Sequence, residues 1–229
     1  MRRIAGLILA SAWFRPVDSI VSSVTHPTRI TVLKPGRRSR EPAPGEMILT
    51  IERRGTFAPT HPTTRLCLEL LAEAARAGRL KGTWLDVGSG SGVLAVACGR
   101  LGAERVVTCD IDYRAAMATV TNVRANWQEK RILTFCGSTE ALRGSFDGIV
   151  ANLPIAVLAA IRNSFTRLLA PEGVLILSGC REPEGQWLVA SFAPMGFALR
   201  EVVTRHETAI EPPPCGSFTW AGLSLERRN

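Results

Sequence analysis

Leu85-Asp86-Val87-Gly88-Ser89-Gly90-Ser91-Gly92-Val93-Leu94 reads as a β-strand that breaks into a glycine-rich turn and opens a helix. Such an elbow binds phosphates or nucleosides. An acid, three alternate glycines and an apolar helix are what a chain needs to bring bare backbone against a small ligand. A dinucleotide-binding turn of the G-x-G-x-x-G kind, started at Gly88 and Gly90, requires a third glycine at position 93. Valine stands there, and Gly88, Gly90 and Gly92 give G-x-G-x-G, with Asp86 two residues before the first glycine. An ordinary strand-to-helix turn is the bland alternative.

That spacing resembles the S-adenosylmethionine (SAM) loop of class I methyltransferases. The resemblance implies that Asp86 anchors the methionine end of SAM and that the glycines admit it to van der Waals distance of the backbone.

At 229 residues the chain is long enough for one α/β domain with a full core, or for one domain and a short appendage. Hydrophobic residues at 46% and charged residues at 21% are ordinary for a globule and exclude wholesale disorder. The net charge of +8 is unevenly placed: residues 1–54 hold 10 Lys and Arg against 4 Asp and Glu, and residues 55–229 hold 18 against 16. The basicity therefore sits in the leader, where Lys34, Arg37, Arg38 and Arg40 read as a solvated tail or as a contact for RNA phosphate or an acidic protein. Only 3 of the 28 cations are lysine, so an arginine-favouring genome also accounts for the residue type. Six scattered cysteines without a C-x-x-C pair argue against zinc or a disulfide framework and fit a reducing compartment. Met1-Arg2-Arg3, Ile4 to Ala10 and Ala10-Ser11-Ala12 mimic a signal peptide with a short apolar core. A SAM-dependent domain finds no cofactor outside the cytosol, so a cytoplasmic protein is expected. No apolar run reaches spanning length, and no membrane role is expected.

Residues from about Lys34 to Glu46 are rich in Pro, Gly and Arg and read as a linker. A basic segment over 1–46 and a methyltransferase domain over 47–229 are the expected division. Thr60-His61-Pro62-Thr63-Thr64 supplies caps and an early proline ahead of Leu66, Leu70, Ala74 and Cys67, Leu71, Ala75 at helical spacing, which predicts a helix ending at Ala77-Gly78. From Thr83 the pattern alternates: strands over Thr83–Val87, Arg105–Ile111, Ile132–Cys136, Phe146–Leu153 and Val174–Ser178, with helices over Gly92–Leu101, Tyr113–Asn126, Ile155–Leu169 and Gly185–Ala193. Alternating β and α means a parallel sheet. Phe197–Thr208 and Phe218–Leu225 follow without an intervening helix and must pair antiparallel. The expected fold is α/β and Rossmann-like, a mostly parallel seven-stranded sheet with a C-terminal antiparallel hairpin. Its ligand lies at the carboxyl ends of the strands.

Asp110 ends the second strand of this run, 22 residues past Gly88, where a carboxylate grips a ribose diol by accepting two hydrogen bonds. Ile111 follows it, and Asp112 reads as the cap of the next helix. Ser138, beyond the third strand, stands where many class I enzymes carry an acid for the adenine amino group, and is a substitute acceptor. The fourth strand ends in Ala151-Asn152-Leu153-Pro154-Ile155. Asn152 either caps the next helix or, with the Leu153 carbonyl, accepts the N–H bonds of an incoming nitrogen and aims its lone pair at the SAM methyl. Methyl transfer from a sulfonium is an in-line displacement that requires no metal, and burial of a lysine amine lowers its pKa. His61 is the candidate proton acceptor, with a structural cap as the alternative.

The Thr60–Thr64 block with Leu66-Cys67-Leu68-Glu69, the Asp86–Gly92 loop, Asp110-Ile111-Asp112, Val150-Ala151-Asn152-Leu153, Leu177-Ser178-Gly179 and the closing Trp220 to Leu225 together carry a second, narrower resemblance. In this order they resemble the family of bacterial methyltransferases that modify amino groups of a large-subunit ribosomal protein, with its protein-lysine methyltransferase relatives. The resemblance covers Met47 to Leu225. It implies that Thr60, His61 and Thr63 line the methionine end of the cofactor and the substrate entrance, and that Asn152 and Leu153 sit by the transferred methyl. Three departures stand out. The family's glycine-rich run before the Thr-His-Pro block is here the stiffer Thr56-Phe57-Ala58-Pro59. Pro154 gives the fourth-strand motif a likeness to the Asn-Pro-Pro-aromatic motif of enzymes that methylate amide or exocyclic nitrogens. The family's N-terminal substrate-recruiting domain is expected to be missing, because about 50 residues ahead of the body are too few for a core. The leading expectation is a SAM-dependent N-methyltransferase acting on an amine of a protein or peptide. Methylation of a small metabolite or RNA, and a non-catalytic SAM- or partner-binding module, are the alternatives. The sequence carries no signal for the oligomeric state.

Overall fold

The computed structural model describes residues 27, 29–36, 40–207 and 215–228. The signal-like stretch at the start, Arg37, Arg38 and the prolines at 212–214 lie outside the described residues. Two short strands come first, β1 (Arg29–Leu33) and β2 (Glu46–Thr50), paired in parallel as a sheet of their own. β1 falls inside the segment that reads as leader and linker, and its Ile30 and Val32 pack on the main core. Helix α1 (Pro62–Arg76) starts as its caps require: His61 accepts from the Thr63 N–H and proline occupies the first turn. Leu66, Cys67, Leu70 and Leu71 face inward at helical spacing, as expected.

The alternating run follows as β3 (Thr83–Val87), α2 (Val93–Leu101), β4 (Arg105–Asp110), α3 (Tyr113–Ala125), β5 (Ile132–Cys136), β6 (Phe146–Asn152), α4 (Ile155–Ala160), α5 (Arg162–Leu168), β7 (Leu169–Arg181), α6 (Glu182–Phe192), β8 (Phe197–His206) and β9 (Thr219–Arg227). The main sheet has the order β5-β4-β3-β6-β7-β9-β8. Its first five strands are parallel, and β9 runs antiparallel between β7 and β8. The seven-stranded, mostly parallel sheet with an antiparallel C-terminal pair is the fold the sequence predicts.

Within the alternating run, three elements differ from expectation by more than two residues. The helix expected over Ile155–Leu169 is two, because the turn tightens at Ile161, whose carbonyl accepts from Ser164 N at 2.8 Å. β7 begins earlier than Val174, since Leu169 pairs with Phe146 before the register shifts to Gly148. α6 begins at Glu182 because Glu184 accepts from the Arg181 N–H at 2.6 Å and Pro183 fits the first turn.

Successive strand residues divide between two cores, the alternation of a sheet covered on both faces. Trp84, Val106, Val150 and Ile176 pack with α1, α2 and Val123 of α3. Leu85, Ile149, Leu175 and Leu177 pack with Leu158, Phe165, Leu188 and Phe192. Strand order turns outward in both directions from β3, so a crevice opens at the carboxyl end of β3.

Candidate active site

Asp86 points from β3 into the α2 side of the sheet, opposite Thr108 of β4 in the strand register, and is 1% exposed. Its Oδ2 accepts from Ala95 N at 3.1 Å and from Thr108 Oγ1 at 3.2 Å. Its Oδ1 is buried and has no partner among the described residues. Burial pushes the carboxyl up from 3.8 to about 7, against the two hydrogen bonds that favour the charged form. An orphaned, buried carboxylate oxygen is costly, and a cationic N–H donor is the partner that relieves it.

The loop that follows is folded by backbone bonds to β4. Gly88 N and Ser89 N both donate to Cys109 O, at 2.9 and 3.0 Å, and Gly90 N donates to Asp110 Oδ2 at 2.9 Å. The three glycines all have positive φ, but they are required for different reasons. A Cβ on Gly88 would overlap Leu153 Cδ2, and one on Gly92 would stand 2.8 Å from Thr119 Cγ2. A Cβ on Gly90 would meet only Gly88 O, 4.0 Å away. Gly88 and Gly92 are thus packing glycines, and Gly90 borders the open crevice.

Asp110 has both oxygens engaged by backbone, Oδ2 with Gly90 and Oδ1 with Asp112 N at 2.9 Å. It braces the loop and keeps a lone pair on each oxygen for a diol. Asp112 caps α3 by accepting from Arg114 N at 2.8 Å. Ile111 between them is 80% exposed beside the crevice, an apolar side chain of the kind that covers a flat ring. Ser138 Oγ caps the turn beyond β5 by accepting from Glu140 N at 3.3 Å.

At the end of β6 the Asn152 amide is not a helix cap: α4 is entered through Pro154 with no side-chain cap bond. Asn152 Nδ2 instead donates to Thr64 Oγ1 at 3.2 Å, which fixes the amide and leaves Oδ1 as its acceptor end. Leu153 sits between two glycines. Its side chain lies over Gly88, and its carbonyl oxygen lies where a Cβ on Gly179 would be. His61 accepts at Nδ1 from Thr63 N at 3.3 Å and is 2.9 Å from Thr63 Oγ1. That bond assigns the ring proton to Nε2, burial lowers the ring's pKa and so favours the neutral ring, and His61 caps α1. Phe57 and Trp220 flank it, with ring centroids 4.6 and 5.2 Å away, and Arg181 stacks on Trp220 at 3.4 Å. Thr63 is buried beneath His61, whereas Thr60 is exposed and lines a separate cavity beside α1.

Asp86, Gly88, Gly90, Gly92, Asp110 and Leu153 are therefore brought together, and Asn152 is tied to the Thr-His-Pro block through Thr64. Sequence reasoning misses Thr64 as a positioning residue. It also misses Asn122, whose Nδ2 donates at 2.8 Å both to Ser91 O of the loop and to Glu52 O. An asparagine in a helix interior, four residues before a second one at Asn126, is the signal that marks it. The orphaned Asp86 oxygen, the open face of Gly90 and the free lone pairs of Asp110 fit the amino group, backbone contact and ribose of SAM.

Residues 17–210 match the family model described as "Ribosomal protein L11 methyltransferase (PrmA)". Among curated relatives, the ribosomal protein L11 methyltransferase of Syntrophotalea carbinolica is 39% identical over 177 residues, covering 77% of this chain and 58% of the relative. That of Pelotomaculum thermopropionicum is 38% identical over 197 residues, covering 84% of this chain and 60% of the relative. The chain thus spans under two thirds of the length of these relatives. The crystal structure of ribosomal protein L11 methylase from Lactobacillus delbrueckii subsp. bulgaricus superposes with a TM-score of 0.69 at 22% identity, covering 89% of this chain and 96% of that one, and shows the shared fold. By the extent of the family match and the identity to its members, the chain belongs to the ribosomal protein L11 methyltransferase (PrmA) family.

Proposed function

We propose that this chain binds SAM at the carboxyl ends of β3 and β4 and transfers its methyl to an amine nitrogen of a protein. Ribosomal protein L11, after which the relatives are named, is the acceptor to test first. Bound SAM supplies a methyl on a sulfonium whose carrier leaves neutral, so the chain's task is to orient the nucleophile and exclude water. Asp86 Oδ1 accepts from the cofactor's amino group, Gly90 gives backbone contact, and Asp110 takes the ribose hydroxyls. Ile111 covers one face of the base, and Ser138 keeps a second lone pair for the adenine amino group. Asn152 Oδ1 and the Leu153 carbonyl accept the two N–H bonds of a neutral amine and leave its lone pair in line with the methyl. His61, Thr60 and Thr63 form the entrance wall, with Thr63 acting through His61. The reading places the protein in the cytoplasm, where SAM is made; among the described residues no helix is long and apolar enough to cross a membrane.

The observation that carries the reading is the Asn152 amide held by Thr64 at the end of β6, next to a loop whose Gly90 opens on the crevice. The test is calorimetry with SAM, followed by incubation with labelled SAM and either purified L11 or a fractionated extract of the native cell. SAM binds, and Asp110→Ala weakens it about tenfold or more, as expected for a charge-assisted contact. Label enters protein. Label confined to RNA or small molecules overturns the acceptor class, and unchanged affinity in Asp110→Ala overturns the pocket.

A further inference from the structure

A cavity of about 460 Å³ lies between β1, α1 and β8, away from the glycine loop. Leu68 and Ala72 line it, and Arg29, Arg65, Arg205 and Glu69 supply its charge. The charges do not cancel. Glu69 is paired with Arg205 through Nη2, yet Arg205 Nε is buried with no acceptor among the described residues. Arg65 is exposed, and no ion pair or side-chain hydrogen bond engages it among the described residues. Arg29 reaches Glu46 only at 3.4 Å, and Glu46 is already held by Arg40 at 2.6 Å and by Thr31. Arg65 is therefore a cation without a partner among the described residues, and it tips the charge of the groove positive.

One wall of that groove is the open edge of a strand. Arg29 N donates to Gly45 O at 3.1 Å and Leu33 O accepts from Ile51 N at 2.8 Å, so residues 29, 31 and 33 bond toward β2. In a parallel ladder the alternate residues, Ile30 and Val32, turn their N–H and C=O groups the other way. Both line the cavity, and this sheet has no third strand among the described residues. Pro59 and Thr60, the two residues before His61, line the same cavity.

We propose that this groove docks an extended acidic segment of the acceptor protein, which adds to the edge of β1 left unpaired among the described residues and sets a carboxylate on Arg65. The proposal rests on the protein-acceptor reading above. A nucleic acid would satisfy the arginines equally, but no aromatic side chain lines the groove for base stacking, and a strand edge is matched by peptide backbone.

The test uses the full chain and a fluorescent peptide of alternating valine and glutamate, its valine–glutamine counterpart, and oligouridylate, with SAM binding measured in parallel. The glutamate peptide binds about tenfold or more tighter than the glutamine peptide, and added salt weakens it. Arg65→Glu removes most of that preference, and Val32→Pro, which deletes an edge donor, weakens both peptides; both variants bind SAM as the parent does. Because Arg65 is exposed, its substitution keeps the test valid should Val32→Pro fail to fold. Equal binding of the two peptides, an unaltered preference in Arg65→Glu, or oligouridylate binding as tightly as the glutamate peptide overturns the proposal. Peptide preference intact without SAM binding supports the groove and overturns the cofactor reading alone.

Discussion

Asp86 is an acid kept at high cost: one oxygen is bonded to Ala95 and Thr108, the other is buried and unpartnered, and burial raises its pKa from 3.8 to about 7. Between those two values the folded protein holds a proton that the unfolded chain has lost. The stability this contributes is fully present below the unfolded value of 3.8, declines as pH rises, and is gone above the folded value of about 7. Urea denaturation without cofactor is expected to show lower stability at about pH 8 than at about pH 5, and Asp86→Asn, which cannot ionise, is expected to flatten that slope. An unaltered slope in the variant assigns the pH dependence elsewhere. A second consequence belongs to Thr64, whose hydroxyl holds the Asn152 amide. Thr64→Val keeps the shape and removes the acceptor, so the amide is free to rotate. Single-turnover assays are expected to show about tenfold slower methyl transfer with SAM affinity unchanged. A loss of SAM affinity instead would make Thr64 part of the cofactor wall.

The glycine loop shows how one element serves two purposes. Gly90→Ala places a methyl in the crevice, where it meets only Gly88 O at 4.0 Å and overlaps nothing, at φ +53°. It is expected to cost about 1 kcal/mol of backbone strain and to weaken SAM binding about tenfold or more. Gly179→Ala, at φ +99°, drives its methyl into the Leu153 backbone and is expected to cost about 2 kcal/mol or more of stability. Thermal melts and SAM titrations of the pair separate the ligand-facing glycine from the packing one, and equal behaviour would remove the distinction. The loop, β3, β5 and the start of α1 were legible because their signals are local: alternation bounded by glycine, a capping histidine, proline in the first turn. The split between α4 and α5 was not, since Ile155–Leu169 carries one continuous apolar pattern and only the tightened turn at Ile161 divides it. The roles of Thr64 and Asn122 were hidden for a related reason. Each depends on the element it meets, β6 for Thr64 and the loop with residue 52 for Asn122, and no spacing within α1 or α3 encodes that meeting.

At the scale of the whole molecule, the least legible feature is where the packed body begins. A proline- and arginine-rich stretch reads as a linker, yet β1 lies ahead of it and pairs in parallel with β2, a pairing that no local turn motif announces. This small sheet is fastened to the body at two levels. Ile30, Val32 and Met47 pack on the main core. At the end of β2 Asn126 exchanges two hydrogen bonds with the backbone of Thr50, just beyond it Asn122 exchanges two with Glu52, and Asn122 also reaches Ser91 in the glycine loop. The chain entering the Thr-His-Pro block and the glycine loop are thus both held by the buried Asn122 of α3, with Asn126 at the helix's C-cap adding the hold on Thr50. We infer that β1 is part of the packed body, which therefore extends ahead of Met47. A chain shortened to begin at residue 47 loses the burial of Ile30 and Val32, about 2 kcal/mol in all, and leaves the free edge on β2. It is expected to melt about 5 °C or more below a chain that begins at residue 27, with weaker SAM binding because residues 50–52 brace Ser91 through Asn122. Identical melting of the two shortened chains would return the boundary to the linker.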